Sequence, residues 1–211
     1  MRERVFLVIL LFLALASYTT AQRGTATVDQ IAETGVFNGL LYSNTSLAME
    51  MLAPGGWNVV PKDRNTELVR LNRERALRSG DAMLKEYAQN TQILFQATPP
   101  EFAGQQTSAL FSAGVQRLVR KTTLDEYLSA NRDLVLQTPG SRVLRDIHSV
   151  DIGRSRFREF EVEIPQENGT FRQRYLATLR SPYVVFFVIT INDDRQLNMI
   201  DFSLNSLRFT R

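Results

Sequence analysis

Residues 158–175 read REFEVEIPQENGTFRQRY, with Glu159, Glu161 and Glu163 on every second position and Arg172 and Arg174 following. Carboxylates at a spacing of two share one face of a strand. Such a row could do acid–base work or hold a cation if its members converged with no cations beside them. The sequence offers one other acid–base group, His148, in RDIHSVDI, with Asp146 and Asp151 near it. A hydrolase built here would use His148 as its base and one of those aspartates to orient it. The frames that usually present such groups are missing from the sequence. It has no G-x-S-x-G, H-E-x-x-H, G-x-x-x-x-G-K-[ST] or G-x-G-x-x-G motif and no calcium-loop spacing. It has no cysteine, which removes disulfides, thiol nucleophiles, zinc–thiolate sites and lipid attachment through an N-terminal cysteine. No residue is assigned as catalytic, cofactor-binding or metal-binding, no cofactor is expected, and the expectation is a protein that is not an enzyme.

The elements that carry the glutamates explain them more simply. Phe160, Val162 and Ile164 alternate with them, the pattern of a half-buried strand. Asn168-Gly169 suits a hairpin turn. The returning strand then sets Phe171, Gln173, Tyr175, Ala177 and Leu179 on one side and Arg172 and Arg174 on the other. An antiparallel hairpin brings those arginines opposite the glutamates, each pairing contributing a few tenths of a kcal/mol. The expectation is a solvated, charge-paired sheet face, with a partner-binding face as the alternative.

The rest of the chain supplies the frame. GVFNGLLYSN (35–44) and SLAMEML (46–52) read as two short strands, stopped by APGGW. Residues 66–89 follow a helical period with heavy charge, broken at Gly80. TQILFQA and SALFSAGVQRLV read as strands. Thr123 and Glu126 form a capping box at the head of a helix whose face carries Leu124, Tyr127, Leu128, Asn131 and Val135. HSVDI, REFEVEI, FRQRYLATL and YVVFFVITI are successive strands, and the last is apolar almost throughout, as a central strand must be. A closing helix, with Asp193 as its cap, buries Leu197, Ile200, Leu204 and Leu207. The sum is an α+β fold: one antiparallel sheet flanked by helices. Residues 35–211 are expected to form a single domain. Residues 22–34 are polar without a clear period and read as a flexible lead-in.

The 211-residue chain opens MRERVFLVILLFLALASYTTAQ. Arg2 and Arg4 precede an apolar run over residues 5–16, which is long enough for a signal-peptide core and short for a membrane span. Residues 1–21 are therefore expected to be a signal peptide, cut after Ala21 or Ala16. The protein is expected to be secreted or periplasmic, or membrane-tethered if the leader is retained, and the N-terminal segment engages the membrane during export. Net charge falls from +3 to +2 when Arg2, Arg4 and Glu3 leave with the leader. That mild, dispersed excess gives no basis for nucleic-acid binding.

Three further features invite a role. Met49, Met51 and Trp57 could line a pocket for a small ligand or lipid, though a single tryptophan at a strand end more often plugs a core. Arg117, Arg120 and Lys121 could meet an acidic partner or anionic lipid head groups, or simply be a solvated strand end. Asn44-Thr45-Ser46 and Asn168-Gly169-Thr170 are glycosylation sequons, which serve only in a eukaryotic secretory pathway.

LLYSNTSLAMEMLAPGGW, with Tyr42, Asn44, Pro54 and Trp57, resembles the opening of PsbP-like domains. The closing RYLATLRSPYVVFFVITINDDRQLNMIDFSLNSLRF, with Ser206 and Phe209 in a final S-x-x-F, resembles the end of the same family. The resemblance covers most of 35–211 in order of elements and implies an α/β/α-like sandwich around an antiparallel sheet. It implies a non-enzymatic role, since the family includes an extrinsic photosystem subunit, a nuclear Ran-binding protein and exported bacterial proteins. The charged helical region at 66–89 departs from the photosystem subunit, and no functional residue is carried over. The function expected is an exported, non-catalytic binding or accessory protein of the cell envelope, with an envelope or membrane protein as its partner. The alternatives are a small-ligand or lipid carrier, or an envelope hydrolase using His148.

Overall fold

The computed structural model describes residues 26–80, 82–100, 109–166 and 169–210. The expected leader, residues 1–21, and Asn168 of the second sequon lie outside them. The strand with the fewest polar positions organises the rest. Strand β10 (Tyr183–Ile191) lies inside a seven-stranded antiparallel sheet of order β4-β5-β6-β10-β9-β8-β7. Its partners are β4 (Asn58–Val59), β5 (Thr91–Thr98), β6 (Leu110–Arg117), β7 (Arg142–Ile152), β8 (Ser155–Gln166) and β9 (Gly169–Arg180). Because successive side chains point to opposite faces, β10 feeds two cores. Val185, Phe187, Ile189 and Ile191 enter one, and Val184, Phe186 and Val188 the other. Phe186 lies against the bare backbone of Gly114 on β6, where a Cβ would come within 2.2 Å of its ring.

Each core needs its own cover. Helices α3 (Ala82–Asn90) and α4 (Leu124–Val135) close the second core with Tyr87, Tyr127, Leu128 and Val135. The capping box of α4 forms as expected, and the Thr123 backbone amide and hydroxyl hold the Glu126 carboxyl below its ordinary pKa. The first core is covered by helix α1 (Val28–Glu33), helix α5 (Arg195–Asn205) and a second, four-stranded sheet. That sheet has the order β1-β2-β3-β11, from β1 (Gly35–Asn38), β2 (Leu41–Asn44), β3 (Met49–Leu52) and β11 (Arg208–Phe209). A run of aromatic contacts from Phe37 through Tyr42, Phe95, Phe111 and Phe187 to Phe157 crosses this core, with ring centroids 4.7 to 6.0 Å apart.

Four sequence readings change. The stretch 22–34 is not all a flexible lead-in: Val28 and Ile31 of α1 are buried, at 3% and 1% exposure, and Thr27 caps the helix. Two apolar residues one turn apart in a polar segment were enough to dock it. GVFNGLLYSN is two strands, because Gly39 adopts φ +61° and turns the chain between Asn38 and Leu41. These strands belong to the smaller sheet, so the domain holds two sheets and not one. Strand β7 starts six residues before HSVDI, and its outer half is exposed with Val143 and Leu144 side by side among charges, so no alternation reveals it to a periodicity reading.

Helix α2 (Lys62–Arg78) and α3 match the charged helical region, with Gly80 at φ +77° between them. Only Asn65 and Val69 of α2 are buried. The helix is held by Arg73, whose guanidinium donates to Asp29 of α1 and to the carbonyls of Ala88 and Thr91.

Asn44, Ser206 and Phe209, three of the residues that carry the resemblance, lock elements together. Asn44 donates to the Ile31 carbonyl (2.7 Å) and accepts from the Leu47 amide (3.0 Å), tying α1 to the smaller sheet. Its amide is buried, so the first sequon is closed in the folded protein. Ser206 accepts the Leu52 amide (2.8 Å), tying the end of α5 to β3. Phe209 lies under the Arg180 guanidinium, 3.6 Å from its ring centroid. Among the described residues, all buried apolar side chains fall between Val28 and Leu207, within residues 22–211. Ile31→Ala is expected to lower unfolding free energy in urea by about 2–5 kcal/mol. A loss under about half a kcal/mol would mean that α1 is not docked.

Candidate functional site

The glutamate row lies on the face of β8 that looks towards α5. In the β8–β9 register Glu161 stands opposite Arg174 and Glu163 opposite Arg172. The side chains pair one step diagonally, as long side chains can. Arg174 Nε donates to Glu159 (2.6 Å), and Arg172 Nε donates to Glu161 (2.8 Å). Glu163 is taken by Arg142, directly opposite on β7 (2.8 Å). The free end of each β9 arginine then reaches over: Arg174 Nη1 to Asp201 (2.9 Å) and Arg172 Nη1 to Asp194 (2.8 Å). Each arginine therefore clamps a sheet carboxylate to a carboxylate of the last helix or its cap. Asp194 and Asp201 are two helical turns apart, a spacing that puts both on one face.

This seam dries out along its length. Side-chain exposure falls from 24% at Glu163 to 13% at Glu161 and 4% at Glu159. The expected charge pairing is present, but the face is not solvated throughout: α5 and β7 close its inner end. Burial alone would lower the Arg174 pKa. Its bonds to Glu159 and Asp201 outweigh that, and the guanidinium is held above its ordinary value. A buried carboxylate is tolerated here because a doubly bonded cation sits on it.

His148 joins the inner end of the seam by a route the sequence did not suggest. It stands opposite Glu159 in the β7–β8 register, with Nε2 4.0 Å from a Glu159 carboxylate oxygen. Its Nδ1 lies 3.0 Å from the backbone carbonyl of Asp146, not from the carboxylate. A carbonyl only accepts, so Nδ1 carries a proton there. The two aspartates proposed as its partners turn elsewhere. Asp146 accepts from the Ile147 amide (2.7 Å) and from Arg132 of α4 (2.5 Å), which together hold its carboxyl below its ordinary pKa. Asp151 is paired with Arg156 at 3.5 Å. Among the described residues no hydroxyl bonds to the imidazole. The Asp–His pair that a hydrolase would need is not assembled, because the bulged register of β7 sends Asp146 to the helix side.

The remaining candidates separate. Met49, Met51 and Trp57 are packed in the first core at 1%, 0% and 4% exposure, so none of them opens to the surface. Arg117, Arg120 and Lys121 stay on the surface, between the end of β6 and the cap of α4. Among the described residues no three His, Cys, Asp or Glu side chains gather to hold a metal. Sequence reasoning missed Arg142, Asp194 and Asp201. The seven-residue spacing of the two aspartates was the signal available for them.

No protein-family model matches the chain, and no curated protein sequence does. Among solved structures it is similar to LpqN of Mycobacterium tuberculosis, which is described as involved in cell envelope biogenesis. That match has a TM-score of 0.51 and 11% identity and covers 77% of this chain and 83% of the other. The chain is also similar to a cyanobacterial PsbP, CyanoP of Synechocystis, with a TM-score of 0.49 and 12% identity over 89% and 99% of the two chains. At such identities the likeness is one of fold. The α+β fold expected from the sequence, antiparallel sheet flanked by helices, is the fold found.

If the seam is a structural clamp, its members should differ in cost according to burial. Glu159→Ala leaves Arg174 buried with one exposed partner and is expected to cost about 3–5 kcal/mol in urea unfolding. Arg142→Ala breaks an exposed pair and should cost at most about 1 kcal/mol. Equal, small costs at both positions would contradict the clamp.

Proposed function

We propose that this chain is an exported, non-catalytic accessory or binding protein of the cell envelope. One observation carries the reading. Of the acid–base groups singled out by the sequence, Glu159 and Glu161 are built into the seam that clamps the last helix to the sheet, Glu163 is paired with Arg142 of β7, and His148 borders Glu159. Groups spent on holding the fold are poorly placed to cycle protons for a reaction. The N-terminal leader read from the sequence adds export to this account. LpqN, which shares the fold, is described as acting in envelope biogenesis, and that is compatible with an accessory role. The protein would work from the secreted or periplasmic side, tethered if its leader is kept, and its partner would be an envelope or membrane protein.

The reading is tested by crosslinking the exported protein in intact cells and identifying what co-purifies. A reproducible envelope or membrane protein is expected. A clean monomer on repeated trials, with a substrate turned over by the purified chain, would overturn it.

A further inference from the structure

We infer that the end of the molecule from which the N-terminus leaves is a docking surface for an anionic lipid bilayer. This rests on the exported reading and adds a partner of stated chemistry. The end is fixed by strand register. Thr91 of β5 pairs with Gln116 of β6, and Arg117 pairs with Tyr183 at the start of β10. The Tyr183 hydroxyl donates to the Ala26 carbonyl (2.5 Å), so the chain enters the fold here. Helix α2 points the same way. Its start lies near Gln96, because Val60 donates to that carbonyl, while Arg73 reaches the Thr91 carbonyl. Its last five residues therefore run on past the sheet edge by about 7 Å at 1.5 Å per residue.

Cations gather there. Arg75 and Arg78 on α2 and Lys121 are exposed, and Arg117 and Arg120 are half-buried. None has a hydrogen-bonded or ion-paired carboxylate among the described residues, though Arg120 lies within electrostatic reach of one, Glu126. The acidic groups nearby are already engaged. Asp29 is held by Arg73 and Gln92, Glu74 by Arg70, Asp125 by Arg158, and Glu126 by its cap at Thr123. Glu86 of α3 is left. Two apolar side chains stand among the cations, Leu77 at 51% and Val119 at 48% exposure. A basic surface with exposed aliphatic side chains complements anionic head groups over an acyl boundary.

The occupant is chosen by what lies upstream. The apolar run at residues 5–16 is joined to Ala26 by nine residues. Fully extended they span about 30 Å. Whenever a membrane holds that run, in transit or as a tether, this end is kept within about 30 Å of the membrane. Electrostatic attraction then acts within its screening length of about 10 Å.

The test is co-sedimentation of residues 22–211 with vesicles of phosphatidylcholine alone or of phosphatidylcholine with phosphatidylglycerol as one third of the lipid. Binding is expected only to the mixed vesicles, and it should fall as salt is raised. Each cation near the surface contributes about fivefold to partitioning. Arg75→Glu, Arg78→Glu and Lys121→Glu combined should therefore lower partitioning more than a hundredfold by order of magnitude. Arg64→Glu with Arg145→Glu, a charge change away from this end, should leave partitioning within a few-fold of the parent. Thermal melts of all variants check that the fold is kept. No preference for the mixed vesicles, or a triple variant that binds like the parent, overturns the proposal. The export reading is scored separately by the crosslinking outcome, so the two can fail independently.

Discussion

Burying both faces of β10 is the constraint on which the rest of this structure depends. Residues 184–191 are all buried, and seven of the eight are apolar. Each such side chain withdrawn from water contributes about 1.5–3 kcal/mol, but only if both faces are covered. A strand with two apolar faces needs hydrogen-bonded neighbours on both edges and a packed layer above and below. β6 and β9 supply the edges. α3 and α4 cover one face, and α1, α5 and the smaller sheet cover the other. Gly114 is part of the same constraint, since the Phe186 ring takes the space of a side chain at that position.

The charged seam follows from the shape of that cover. α5 buries Ile200 and Leu204 against the first core. The same helix extends beyond the apolar patch, over strands whose inward positions are Glu159, Glu161, Arg172 and Arg174. Charges under a helix must be matched on both sides, by the neighbouring strand and by the helix itself. Two arginines with planar, forked donors do this where lysines would reach one partner each less well. The arrangement costs desolvation at Glu159 and returns orientation: it fixes how α5 lies on the sheet. His148 borders this cluster with a proton on Nδ1 and Nε2 turned to Glu159. That is a histidine packed beside a structural carboxylate.

Much of this was legible in the sequence wherever periodicity and polarity agreed. YVVFFVITI announced a doubly buried strand, REFEVEI a half-buried one, and Thr123 with Glu126 a helix start. The failures have physical causes. α1 buries only Val28 and Ile31 fully, too few apolar residues to show a period. Gly39 hid a turn inside an apolar run. β7 is an exposed edge strand whose outer half mixes Val143 and Leu144 with charged residues, so its sequence lacks the alternation of a half-buried strand. For the site, the strand alternation predicted which charges share a face. It could not predict diagonal pairing, since that depends on side-chain reach across the actual register. It also could not place α5 above the seam, which is why Glu159 was read as wet.

The functional account has one central claim: this fold works outside the cytoplasm, with its charged residues serving architecture and surface contact. The absence of cysteine allows a direct measurement. Asn198 lies exposed on the outer side of α5, so Asn198→Cys gives the chain a single surface thiol. Cells expressing that variant would be treated with a membrane-impermeant maleimide, with any outer membrane permeabilised and the inner membrane left intact. The account predicts labelling of the variant under these conditions, at the level reached after full lysis. Labelling that appears only after lysis would place the protein in the cytoplasm and contradict it.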